Sequence, residues 1–212
     1  MKRTYLHPLP LRIWHWLNAL TVIMLIMTGL YLRLQGIAAL KAHNPMLLLH
    51  KGMGLAMIIT TLFWFIYNIS SGNLRRHYGI RSGDLQGMAA QVGFYLSSIF
   101  KGGANPFQTS ADNKYNPLQK IAYDALMFAF LPVQAITGLM FMDIDPLRNY
   151  LLSTNLSGFS GAVHVLFAYL IIIYLIFHIY MATLGETVLS HTKAMITGYE
   201  EHGHELRGDY GR

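Results

Sequence analysis

The sequence predicts an all-α integral membrane protein: a bundle of four transmembrane helices with both termini cytoplasmic. Three observations predict it. Of 212 residues, 53% are hydrophobic and only 12% charged, a balance that belongs in a bilayer rather than around one water-soluble core. Four apolar runs, about 13–32, 46–69, 121–142 and 159–183, each approach or exceed the ~20 residues that cross a bilayer. Histidines recur near the ends of three of these runs. Residues 1–212 are read as a single membrane domain.

The fourth run sets the pattern. It reads GFSGAVHVLFAYLIIIYLIFHIYMAT from Gly158 to Thr183, with His164 and His178 fourteen positions apart. On a helix that spacing separates the imidazoles by ~21 Å along the axis and within ~40° of one face. One helix therefore offers a nitrogen ligand near each membrane surface, and polar groups in hydrocarbon must be satisfied, which makes them functional candidates.

Pro8 and Pro10 delay the first helix, and the run from Ile13 to Leu32 is read as a retained span rather than a signal peptide. His15 stands at its entrance between Trp14 and Trp16; the tryptophans fit an interfacial anchor, and the histidine is either a ligand or a side chain snorkelling to water. Pro45 opens the second run, which carries His50 and then Gly52 and Gly54. Gly54 would let a flat macrocycle approach the backbone, while ordinary small-residue packing explains the glycines equally. In the polar segment that follows, residues 84–100 place Leu85, Met88, Ala89, Val92, Tyr95, Leu96 and Ile99 at helical spacing, which predicts an amphipathic interfacial helix. The third run has Asp124 near its start and Pro132 and Gln134 within it; Pro132 predicts a kink, and Gln134 faces the bundle. After the fourth run a solvated, disordered tail accounts for His202 and His204 more simply than a metal site does.

A cytoplasmic N-terminus places twelve Lys and Arg residues inside and only Arg33, Lys41, Lys51 and Arg148 outside, a positive-inside orientation. Depth then follows from position. His15 and His178 lie towards the cytoplasm, His50 and His164 towards the outer face. Two pairs of histidines at matched depths, each drawn from two helices, fit two b haems, whose irons take an imidazole on either side of the ring. Tyr174 and Thr28 are candidate hydrogen-bond donors to the second imidazole nitrogens, with helix packing as their alternative role.

Other chemistries fit less well. The chain has no cysteine, which removes disulfides, thiolate-bound iron-sulfur clusters, covalent haem attachment and cysteine nucleophiles. A structural zinc site needs about four ligands converging on one point. A proton relay calls for carboxylates at mid-membrane. The net charge of +6 is better spent on topology and anionic lipid than on nucleic acid. A transporter would show internal repeats and interrupted spans, and a bare anchor would bind no cofactor; either remains the rival from another class.

In RIWHWLN, LLLHKGMG, KYNPLQK, the fourth-span pair ending in FHIYMA and the tail segment KAMITGYEE, nearly the whole chain resembles the four-span dihaem cytochrome b subunits of respiratory formate dehydrogenase and thiosulfate reductase, and the related cytochrome b of nickel-iron hydrogenases. The resemblance implies that His50 and His164 ligate an outer haem and His15 and His178 a cytoplasmic one. It implies a quinone, menaquinone or ubiquinone, beside the cytoplasmic haem, contacted by Asn116 and Gln119, although Asn116 before Pro117 also reads as a turn or helix cap. Arg12 is a candidate partner for a haem propionate or simply an inside-positive charge. By this resemblance the chain sits in a bacterial or archaeal cytoplasmic membrane and joins quinone to an iron-sulfur subunit and a molybdenum, tungsten or nickel-iron catalytic subunit. It would transfer electrons without acting on the primary substrate. No histidine occurs in STNLSGFSGAVH before His164, which favours the formate dehydrogenase or thiosulfate reductase type over the hydrogenase type.

Overall fold

A computed structural model describes residues 2–36, 44–79, 83–103, 105–107, 115–142, 156–185 and 187–202. Most of the predicted outer connections, Arg33–Asn44 and Asp143–Ser157, fall outside these residues, as do Lys114 and His204. The chain divides into two compact units. One comprises Met1–Ile13, Ile80–Gln119 and Ile176–Arg212, the other Trp14–Gly79 and Lys120–Leu175.

Four helices of 24 to 27 residues are long and apolar enough to cross a membrane. They are α1 (Leu9–Gln35), α2 (Pro45–Ser70), a third span from Pro117 to Met140 and a fourth from Leu156 to Ala182. Their burial runs opposite to that of a water-soluble bundle. Leu20, Ile66 and Ile136 are all more than 60% exposed, whereas Asn18, Thr21, Thr28, Asn68, Thr137 and Ser160 are buried. Apolar side chains outside and small polar ones at the helix contacts are what a lipid solvent selects. The chain is an all-α, multi-pass membrane protein.

Each span begins earlier than its apolar run, because helix starts are set by caps rather than by hydropathy. Pro10 lies in the first turn of α1, where its missing N–H costs nothing. Asn44 caps α2, its Oδ1 accepting from the Met46 amide at 2.9 Å, with Pro45 in the first turn as predicted. The third span is built as α5 (Pro117–Ala125), a π turn over Leu126–Phe130 and α6 (Leu131–Met140). Pro132 can donate no hydrogen bond, and the wide turn before it re-phases the ladder, with the Leu131 amide bonded to the Leu126 carbonyl.

Between the second and third spans lie α3 (Asn73–His77) and α4 (Asp84–Gly93), the latter prolonged by a π turn and a 3₁₀ turn to Lys101. This covers the predicted 84–100 helix. Leu85, Leu96 and Phe100 are exposed and Gln91 and Phe94 buried, so its apolar stripe faces outward, as an interfacial helix requires. Gly87 packs on Pro117; a Cβ there would stand 2.7 Å from the proline ring.

The tail is more ordered than its composition implies. The fourth span, α7 (Leu156–Ala182), is followed by α8 (Ser190–Thr197) and a strand β2 (Tyr199–His202) that pairs antiparallel with β1 (Lys2–Tyr5). Gly198, at φ 91°, links α8 to β2, and its carbonyl accepts from the amides of Leu6 and His7. A pairing across nearly the whole sequence leaves no local signal. It corrects the disordered-tail expectation as far as His202 and joins the first strand to the last described one.

Candidate functional site

The second compact unit contains the site, and antiparallel helix contacts assemble it. Spans α1 and α2 are stapled by Trp14, whose indole N–H donates to the Thr60 carbonyl at 2.8 Å, and by Thr60, whose hydroxyl donates to Asn18 Oδ1 at 3.1 Å. The third and fourth spans meet through Phe130 on Phe167 and Tyr123 on Tyr174. Trp64 and Phe65 of α2 pack edge-on against Phe128.

These contacts bring His50 of α2 and His164 of α7 together. Their ring centres lie 6.4 Å apart and their planes cross at 76°. Two imidazole nitrogens each about 2 Å from one metal put the ring centres roughly 6 Å apart. Thr28 Oγ1 lies 2.8 Å from His50 Nδ1, and Thr137 Oγ1 lies 2.9 Å from His164 Nδ1. Both hydroxyls already donate to the carbonyl four residues earlier, of Met24 and Val133, at 2.7 Å. A hydroxyl has one proton to give, so each Nδ1 carries the hydrogen and each Nε2 keeps its lone pair. Thr28 thus partners a histidine, but as an acceptor rather than the donor expected. The Gln134 amide nitrogen stands 3.1 Å from His164 Nε2 and caps that lone pair, while its Oε1 is buried with no hydrogen-bond partner.

Two imidazole nitrogens at this ring separation would suit a metal whose remaining ligands come from a macrocycle. Among the described residues no cluster of three or more His, Asp or Glu could hold a bare ion. The donor set therefore fits haem b, with His50 and His164 as the residues that would hold its iron. A Cβ added at Gly54 would meet nothing within 4 Å, so helix packing does not require that glycine. The glycines that crowd the imidazoles are instead Gly29 and Gly138; an added Cβ would come within 3.2 Å of His50 Cε1 and 3.4 Å of His164 Cε1. Elsewhere on α7, a cavity of about 600 Å³ is lined by Gly161, Ala162, Val165, Leu166, Tyr169 and Arg33, and His164 is not among its lining residues.

The other predicted residues are distributed as follows. His15 lies in the second turn of α1, its ring edge-on to Trp16 at 5.1 Å, and His178 in the last turns of α7. They belong to different compact units. Arg12 donates through Nη1 to the Ile196 carbonyl, and its Nε is buried with no hydrogen-bond partner. Asn116 and Gln119 form a capping box for α5: Asn116 Oδ1 accepts from the Gln119 amide at 2.8 Å, and Gln119 Oε1 from the Asn116 amide at 3.2 Å. The Asn116 side-chain amide donates to the Tyr95 hydroxyl at 3.1 Å, and burial pushes the Tyr95 phenol up from its ordinary range.

A lipid-facing bundle with paired, tautomer-fixed imidazoles in its interior is a membrane b-type cytochrome, a carrier in electron transfer. The chain belongs to the prokaryotic cytochrome b561 family, whose sequence profile matches residues 6–198. It is similar to the protein named "Putative cytochrome YdhU" of Escherichia coli (strain K12), 31% identical over 211 residues that cover 95% of this chain and 76% of that one. No solved structure matches it.

Proposed function

We propose that the chain binds two b haems and carries electrons across the membrane between an extracytoplasmic iron-sulfur partner and quinone on the cytoplasmic side. The observation that carries this reading is the His50–His164 pair, with its ring separation and Thr-bound Nδ1 atoms. For the second haem the support is positional: His15 opens the first span, His178 closes the fourth, and the fourteen-residue spacing in α7 repeats the ligand near the opposite surface. The catalytic partner is of the formate dehydrogenase or thiosulfate reductase type, with a molybdenum or tungsten subunit behind the iron-sulfur protein.

When bound, haem supplies the one-electron iron couple. The protein's own contribution is to place the ligand nitrogens and fix their tautomers. At the quinone end, the Asn116–Gln119 cap and the Tyr95 hydroxyl supply the polar groups for a quinone carbonyl. Their hydrogen bonds to one another would hold these groups in place before a quinone arrives. Arg12, with one nitrogen tied to Ile196 and Nε buried without a partner, is a propionate partner on that side.

Haem counted per purified polypeptide, with a reduced-minus-oxidised spectrum, tests the reading. Two b haems per chain are expected. A single haem overturns the second site, and a colourless protein overturns both.

A further inference from the structure

We infer that the two Thr-Gly dipeptides at 28–29 and 137–138 are a matched pair of positioning elements that set the donor strength of His50 and His164, and so the reduction potential of the metal those histidines hold. This rests on the reading of His50 and His164 as axial ligands.

The tripeptide Thr-Gly-Leu occurs in the first span, residues 28–30, and again in the third, 137–139. In each case the histidine it meets lies on the next span in the chain, α2 and α7 respectively. The two arrangements coincide in detail. Each threonine spends its proton on the carbonyl four residues back at 2.7 Å and accepts from Nδ1 at 2.8 or 2.9 Å. Each following glycine leaves room for the Cε1 edge of the same ring, where a Cβ would stand 3.2 or 3.4 Å away. Thr28 and Thr137 are 3% and 7% exposed, so no water competes for the bond. The glycine sets how near the ring approaches, and the threonine sets which nitrogen carries the proton.

The chemistry follows from the direction of the bond. Hydrogen-bond donation from Nδ1 makes Nε2 more basic, and a more basic ligand favours the oxidised metal. Donation by the threonine to its own carbonyl polarises its oxygen and strengthens the acceptor. Because the acceptor is a neutral hydroxyl rather than a carboxylate, the tuning adds no buried charge to a membrane span. Equal devices on both imidazoles act on one metal in the same sense.

The test replaces each threonine with the isosteric valine and, separately, with serine, in the full chain, and titrates the haems by redox potentiometry alongside a haem count. In Thr28→Val and Thr137→Val we expect the haem count to stay unchanged and one haem to become easier to reduce. Poised at that haem's wild-type midpoint, its reduced-to-oxidised ratio should rise about threefold per valine, and the two changes should multiply in the double variant; tenfold corresponds to 59 mV for one electron. The serine variants should restore the wild-type ratio. Valine variants with full haem and unchanged potentials would overturn the inference. Haem loss that serine reverses would support it, and haem loss that serine does not reverse would refute it. The underlying ligand assignment fails separately, if His50→Ala retains full haem content.

Discussion

Both ring nitrogens of His164 are engaged by the third span: Thr137 Oγ1 lies 2.9 Å from Nδ1 and the Gln134 side-chain nitrogen 3.1 Å from Nε2. The two contacts differ in consequence. Thr137 fixes the tautomer that leaves Nε2 able to bind a metal, whereas Gln134 occupies that same lone pair. An amide N–H and an iron cannot share it, so the glutamine competes with the ligand. Replacing Gln134 with Leu, of similar size, removes the competitor and the buried, unpartnered Oε1. A hydrogen bond is worth about 1 kcal/mol net, so haem affinity at this site should rise roughly fivefold. Haem content of cells grown under limiting haem supply would read it, and unchanged or lower occupancy would show that Gln134 does not compete.

The proposed ligand assignments predict two separable haems. His50→Ala and His164→Ala should each remove one haem and leave the other with its potential little changed. His15→Ala and His178→Ala should remove the second haem and abolish reduction by quinol. Haem stoichiometry and the difference spectrum of each variant decide the matter. A variant in one pair that loses both haems would mean the sites are not independent.

What could be read in the sequence and what could not divide along a physical line. The four spans follow from hydropathy and length alone, and the meeting of His50 with His164 from counting residues to a membrane surface. Thr137, Gly138, Gln134 and Gly29 received no chemical role, because their partners lie on neighbouring helices and depend on the register between spans, which periodicity within one span does not encode. Gly54 drew attention only because it stands one turn from His50, yet an added Cβ there would meet nothing within 4 Å. The β1–β2 pairing was missed for a related reason: Tyr5 and Tyr199 are partners nearly two hundred residues apart, and a charged tail read locally shows none of that.

Asn116 separates a cap from a quinone contact. Asn116→Asp keeps the side-chain oxygen that accepts from the Gln119 amide but loses the N–H that reaches Tyr95. Asn116→Ala loses both. The aspartate variant should retain near-normal stability, while the alanine variant should lose about 1 kcal/mol, typical of an absent N-cap. If the amide also serves a quinone carbonyl, both variants should reduce haem from quinol several-fold more slowly with haem content intact. Normal quinol kinetics in both would leave Asn116 as a cap alone.

Tyr95 adds a pH dependence. Burial raises its phenol above the ordinary value near 10, so the folded protein holds that proton more tightly than the unfolded chain does. The associated stability is fully present below about pH 10 and is lost as pH rises from there towards the folded-state value. Melting temperature in detergent between pH 9 and 11 should fall more steeply for the wild type than for Tyr95→Phe. Equal slopes would remove Tyr95 as the cause.

Arg12 joins the two ends of the chain to the first span. Its Nη1 donates to the carbonyl of Ile196 in the last turn of α8, where a cation also meets the negative end of the helix dipole, an interaction of roughly 0.3–1 kcal/mol. Its buried Nε has no hydrogen-bond partner, and a propionate would satisfy it. Lysine preserves the charge and a terminal donor nitrogen but has no counterpart to Nε; methionine preserves only the apolar stem. Chymotryptic cleavage around Tyr199 should therefore quicken about threefold in Arg12→Met and little in Arg12→Lys. Should the propionate contact exist, both variants shift the potential of the haem assigned to His15 and His178, because neither offers Nε. A shift in Arg12→Met alone would assign Arg12 to anchoring α8 and to general charge, not to a propionate.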